Sequence, residues 1–232
     1  MSAARKLAIV AAIICASGQA VSQATPGLAT VKEPAAQPWE YSLAVAFYII
    51  PNGTSYVNPV FTADHDWLHL EARYNYENLR TGSLWAGYNF SWGTKVQFSL
   101  TPMIGGIFGR TNGIAPGCEA SLTFKKIEAS ISNEYVFDTD SKSGNFYYAW
   151  PQLTYSPVEW LHVGAVAQHT KAYQTTFDIQ RGFLVGLSHK QWEFTTYVFN
   201  PGADTTLVLE AGVVSKPNRS TPPQSDRTRQ VG

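Results

Sequence analysis

Residues 67–77 read WLHLEARYNYE, and how they are read decides the fold. Leu68, Leu70, Ala72, Tyr74 and Tyr76 are apolar. His69, Glu71, Arg73 and Asn75, which alternate with them, are polar. Successive side chains of a strand point to opposite faces, so this stretch is a β-strand with one apolar and one charged face. A soluble β-protein turns the apolar face inward, whereas a chain in a bilayer turns it outward. Alternation alone fits both.

The same pattern recurs along the chain. Lys95, Gln97, Ser99 and Thr101 oppose Val96, Phe98, Leu100 and Ile104, and Glu119, Ser121 and Thr123 oppose Cys118, Ala120, Leu122 and Phe124. Glu128, Ser130, Ser132 and Glu134 oppose Ile127, Ala129, Ile131 and Tyr135, and Glu210 opposes Leu207, Leu209, Ala211 and Val213. The stretch 145–156 alternates poorly, because Phe146, Tyr147, Tyr148 and Trp150 fall on both faces. About twelve strand-like segments follow one another between 39 and 215, each about ten residues long, and no 3.6-residue period persists. Their connections alternate between tight turns, as at Gly93 or Lys125-Lys126, and longer loops such as Arg110–Pro116 or Asp138–Gly144. Five of the seven tryptophans, Trp39, Trp67, Trp92, Trp160 and Trp192, fall at the tight-turn ends. An indole suits the level of lipid headgroups, so these five are the expected membrane-interface anchors. Tyr76, Phe108, Phe137, Tyr147, Tyr173 and Phe199 mark the opposite rim.

The two ends of the chain read differently. Residues 1–24 have the form of a signal peptide, with Arg5 and Lys6, an apolar run Leu7–Ile14, then small residues. Residues 25–38 form a Pro/Ala-rich lead-in, and residues 216–232 a polar tail expected to be disordered. The formal net charge of zero conceals a distribution. Residues 25–215 hold 11 basic and 16 acidic side chains, 11 − 16 = −5, while 216–232 hold four and one, 4 − 1 = +3. That is no nucleic-acid footprint.

Three arguments place lipid outside. A barrel of about twelve strands is too wide for side chains alone to fill. Segments of about ten residues match a tilted strand crossing a bilayer. Closure removes the exposed edges that a long meander otherwise leaves. The expected fold is therefore all-β: one transmembrane antiparallel up-and-down barrel over 39–215, with about twelve strands, or about ten as the alternative. A soluble periplasmic or secreted β-sandwich binding protein is the rival architecture.

With these strands and rims, the chain resembles bacterial outer-membrane β-barrel proteins over about 39–215, by pattern rather than by a signature motif. The resemblance implies a Gram-negative outer membrane, reached through the signal peptide, and insertion by the outer-membrane assembly machinery. One departure is that many such proteins end on an aromatic residue, whereas here a polar tail follows the last strand.

With the polar face inside, Glu71, Arg73, Lys95, Glu119, Glu128, Glu134, Glu193 and Glu210 are the candidate lumen-lining residues, with His69 and His162 nearby. Glu71 and Arg73 are expected to bridge to Lys95 or Glu119. Such an acidic, ion-paired lumen suits a structural barrel or a small porin-like channel that attracts cations. A barrel-embedded lipid-modifying hydrolase is the alternative function. His169 is its best-placed base, with Asp178 on the next strand to orient it, but no serine pairs with it obviously. The glycine-rich stretch 105–113 lacks the Gly-Lys-Ser/Thr end of a phosphate loop. No spacing suggests a metal site and no cofactor is expected. The expected partners are the bilayer and small ions or solutes.

Overall fold

The structure, a computed structural model, describes residues 38–51, 53–172, 178–202 and 205–215, with side chains of 170–172 and 178 excepted. The expected signal peptide, lead-in up to 37, basic tail and Tyr173 lie outside the described residues.

Thirteen strand segments form one antiparallel sheet. They are β1 (Glu40–Ile49), β2 (Tyr56–His65), β3 (Leu68–Tyr74), β4 (Thr81–Tyr88), β5 (Phe90–Trp92), β6 (Val96–Gly109), β7 (Gly113–Phe124), β8 (Ile127–Asp138), β9 (Phe146–Val158), β10 (Leu161–Ala172), β11 (Asp178–His189), β12 (Trp192–Phe199) and β13 (Thr206–Val214). β4 and β5 are one stave interrupted at Asn89, and both pair with β6. β1 pairs with β13, so the sheet closes into a barrel of twelve staves.

Turn chemistry explains the two unlike rims. At one, hairpins turn on Asp66-Trp67, Gly93–Lys95, Lys125-Lys126, Glu159-Trp160 and Lys190-Gln191. Asp66, Gly93, Lys125 and Lys190 supply a positive φ at four of these five turns, as tight hairpins favour. Connections at the other rim run from three to seven residues.

The opening alternation now has its answer. Leu70 and Tyr74 are 38 % and 48 % exposed, whereas Glu71 and Arg73 are 6 % and 5 % exposed. Phe47, Phe61, Leu84, Ile104, Leu122, Leu153, Phe183, Phe194 and Leu209 continue the exposed apolar belt around the barrel. A water-facing surface does not carry such a belt. The apolar face is the outer one, and the soluble sandwich is set aside.

The interior is not uniformly polar. Tyr48, Val166, Leu184, Tyr197, Phe199 and Val208 form one buried cluster, packed by Tyr56 and Trp150. Trp85, Met103, Ile107, Ala115 and Val136 form another, packed by Phe146. This accounts for the irregular stretch 145–156: Tyr148 is buried and Trp150 packs edge-on against Tyr197 and Phe199, while Tyr147 lies against His169.

The quoted stretch departs from expectation at its end. The strand stops at Tyr74 instead of reaching Glu77. Asn75 takes a φ of 59°, its Nδ2 donates to the Val57 carbonyl at 2.9 Å, and its Oδ1 accepts from the Arg80 amide at 2.7 Å. Alternation ends there, so Asn75 caps a turn rather than facing the lumen, and Tyr76 lies inside rather than on the outer girdle.

Candidate functional site

β3 carries Arg73 into the interior, and its partners come from both sides of the barrel. Arg73 Nη2 donates to Glu71 Oε2 at 2.7 Å on the same strand. Arg73 Nη1 donates to Glu134 Oε2 at 2.7 Å on β8, four staves away, so the pair crosses the interior. Glu77 Oε1 stands 3.9 Å from the same Nη1. The guanidinium lies over the Tyr76 ring at 4.3 Å and the Trp85 ring at 4.5 Å, a planar cation against two aromatic rings.

The connection 75–80 folds inward to make this layer. Ser83 Oγ and Trp85 Nε1 donate to Glu77 Oε1 at 2.5 and 3.3 Å, and Asn78 Nδ2 donates to Thr111 Oγ1 at 3.0 Å. The Trp85 ring lies where side chains of Gly105 and Gly117 would have stood. A second chain of bonds borders the layer: Thr101 Oγ1 donates to Asn89 Oδ1, Asn89 Nδ2 donates to Asp64 Oδ1, and Asp64 Oδ1 meets His69 Nδ1, each at 2.8 Å.

Toward the tight-turn rim the interior opens. A cavity of about 990 Å³ is lined by Glu128, Ser130, Gln152, Thr154, His162, Glu193 and Thr195, with Lys125, Lys126, Glu159 and Trp160 at its mouth. A smaller space of about 290 Å³ shares Ser130 and Gln152 with it and adds Thr101, Glu119, Ser132 and Trp150. His162 Nε2 is 3.2 Å from Glu193 Oε1, and its ring occupies the room left by Gly186. The lumen is thus two-storeyed, with a hydroxyl- and carboxylate-lined half under a packed half.

The lumen-lining candidates separate accordingly. Glu71, Arg73 and Glu134 meet directly. Glu119 accepts from Ser132 Oγ at 3.5 Å and borders the smaller space. Glu128 and Glu193 line the large cavity, and Glu210 sits opposite Thr195 on the next stave. Lys95 is corrected: it lies exposed in the Gly93–Lys95 turn, because β6 begins only at Val96, and among the described residues it joins no ion pair. Arg73 therefore pairs with Glu71 and Glu134, and neither Glu71 nor Arg73 pairs with Lys95 or Glu119. Sequence reasoning missed Tyr76, Glu77 and Trp85. Trp85 shares the phase of Thr81 and Ser83, opposite the outward Leu84, and that signal was available. Nothing in the pattern marks Glu77, which follows the break at Asn75.

Trp39, Trp67, Trp92, Trp160 and Trp192 are all exposed. Trp39 lies 4.9 Å from the His65 ring, Trp67 5.3 Å from Tyr88 and Trp92 4.4 Å from Phe98, while Trp160 borders the cavity mouth. His169 lies edge-on to Tyr147 at 5.4 Å, and the Asp178 side chain is outside the described residues. Among the described residues, no group of three or more His, Cys, Asp or Glu is placed to hold a metal ion.

No family model matches this chain, and no curated protein matches it. Solved structures do. The KdgM porin in complex with disordered oligogalacturonate is 14 % identical with a TM-score of 0.54, over 75 % of this chain and 98 % of that one. The KdgM porin gives 13 %, 0.52, 75 % and 98 %. The outer membrane protein Omp33 of Acinetobacter baumannii gives 10 %, 0.46, 75 % and 97 %. At these identities the likeness to KdgM concerns the fold alone: this chain has a closed antiparallel β-barrel of the kind seen in those structures.

Proposed function

We propose that this chain is a porin-like barrel of the Gram-negative outer membrane that passes small cations and small neutral solutes by diffusion. The observation that carries this reading is the polar, water-accessible cavity of about 990 Å³ inside a closed barrel with an apolar outer belt. The sign of the charge supports cations. Glu71, Glu77, Glu119, Glu128, Glu134, Glu193 and Glu210 belong to the interior, where Arg73 is the one Arg or Lys among the described residues; Lys125 and Lys126 stand at the mouth. Acidic linings concentrate cations and repel anions. The oligogalacturonate held by the KdgM porin is an acidic saccharide, and the acidic lining here disfavours that class.

The packed storey around Arg73 makes the bore narrow. In this reading Trp39, Trp67, Trp92 and Trp192 seat the barrel at the headgroup level, with the tight-turn rim toward the periplasm. An N-terminal signal peptide and the outer-membrane assembly machinery deliver it. Purified protein in planar bilayers is expected to show small, cation-preferring conductance. Folded protein that conducts nothing would reduce the role to a structural barrel, and selectivity for anions would overturn the sign.

A further inference from the structure

We propose that Glu77 and Glu134 together hold a small inorganic cation inside the barrel, and that this pair sets the ion selectivity of the channel. The selectivity half of the proposal rests on the porin-like reading; the binding half does not.

Charge count comes first. Three carboxylates, Glu71, Glu77 and Glu134, approach the single guanidinium of Arg73 within 3.9 Å, which leaves 3 − 1 = 2 negative charges in excess when all three are ionised. All four side chains are 4 % exposed or less. The neighbouring His69 and Asp64 offset each other when His69 is protonated, so they remove none of this excess. An uncompensated buried charge is costly, and either a counter-cation or a proton relieves it.

The second observation is independent of the count. Glu77 Oε2 and Glu134 Oε1 are buried and have no hydrogen-bond partner. Each residue's other oxygen is engaged: Glu77 Oε1 by Ser83 and Trp85, Glu134 Oε2 by Arg73. Both carboxylates flank the same Nη1, at 3.9 and 2.7 Å, so they share one neighbourhood. The inward fold of 75–80 is what brings Glu77 there. Two carboxylates make a weak site, suited to an ion in transit rather than to a resident metal.

The test uses the full chain, folded in detergent micelles and in planar bilayers. Terbium is the probe, because Tyr76 and Trp85 are placed to sensitise its emission. Sensitised emission is expected, displaced by calcium, and lost in both Glu77→Gln and Glu134→Gln. In bilayers the same two variants are expected to lower the potassium-to-chloride permeability ratio several-fold, with Glu40→Gln as the unaffected control. Heat-modifiable migration on gels shows that each variant is folded. Folded variants with unchanged terbium emission and unchanged selectivity overturn the proposal. So does a change confined to the pH dependence of conductance, which assigns the counter-charge to protons. Wild-type protein that binds terbium through Glu77 and Glu134 but does not conduct upholds the site and removes the porin-like reading instead.

Discussion

Arg73 on β3 and Glu134 on β8 meet at 2.7 Å across the inside of the barrel. Neither strand neighbours the other in the sheet, so this contact ties together walls that backbone hydrogen bonds join only through the staves between them. The interior is sorted around it: Tyr148 stands beside Glu134 in register on β9, Tyr48, Tyr197 and Phe199 pack the buried cluster, and Tyr197 at its edge also lines the large cavity.

Arg73→Ala is expected to destabilise the barrel severely, by about 3–5 kcal/mol, because it leaves Glu71, Glu77 and Glu134 buried without their cation. Glu134→Gln in the same background is expected to recover part of the loss, since it removes one orphaned charge. Urea unfolding of protein in micelles, followed by tryptophan emission, measures both. Additive losses in the double variant would contradict a direct coupling.

The outer belt makes a graded prediction. Ile104, 60 % exposed and central on β6, faces outward between Ala86 and Pro116. Ile104→Arg is expected to cost about 2–4 kcal/mol in a bilayer, falling toward about 0–1 kcal/mol for outward sites next to the rims. Leu70→Arg, closer to the Trp67 rim, is expected to fall between. Refolding titrations into vesicles give the ordering, and equal costs at Ile104 and at rim sites would show that the belt does not face hydrocarbon.

The staves were legible in the sequence because outward positions must be apolar whatever fills the lumen, and that constraint alone imposes a period of two. The alternation read over 118–124 lies within β7, which begins at Gly113 and so takes in part of the stretch read as the Arg110–Pro116 loop, and that over 127–135 lies within β8. Inward positions carry no such constraint. Glu71 and Tyr148 both point in, one to an ion pair and one to an aromatic layer, so reading "polar" as "inside" found the first and missed the second. Lys95 failed for a local reason: counting the strand from a tight turn is uncertain by a residue or two, and Gly93–Lys95 takes three residues where most turns on that rim take two. Glu77 failed for a tertiary one, since its place depends on the inward turn at Asn75.

Glycines at 105 and 117 make room for the Trp85 indole that backs Arg73. Gly105→Ala places a methyl group inside the ring's van der Waals envelope and is expected to cost about 1–3 kcal/mol by overpacking. Trp85→Phe shortens the ring and is expected to relieve that cost in the double variant, while losing the Nε1 bonds to Ser83 and Glu77. Gly106→Ala meets open space and is the neutral comparison. Destabilisation at 105 that persists without the indole would point to backbone strain as the cause.

Trp67 and Trp160 share a rim but not an environment, and quenching distinguishes them. Trp67 stacks on Tyr88 at 5.3 Å on the outer face, whereas Trp160 stands in the Glu159-Trp160 turn at the mouth of the cavity. An indole on the outer face at headgroup depth meets lipid, and one at the mouth meets water that also fills the lumen. In vesicles of brominated lipid, Trp67→Phe is therefore expected to remove a strongly quenched part of the emission, and Trp160→Phe a part quenched mainly by aqueous acrylamide. If both variants lose the same lipid-quenched component, Trp160 belongs to the girdle and the cavity opens elsewhere.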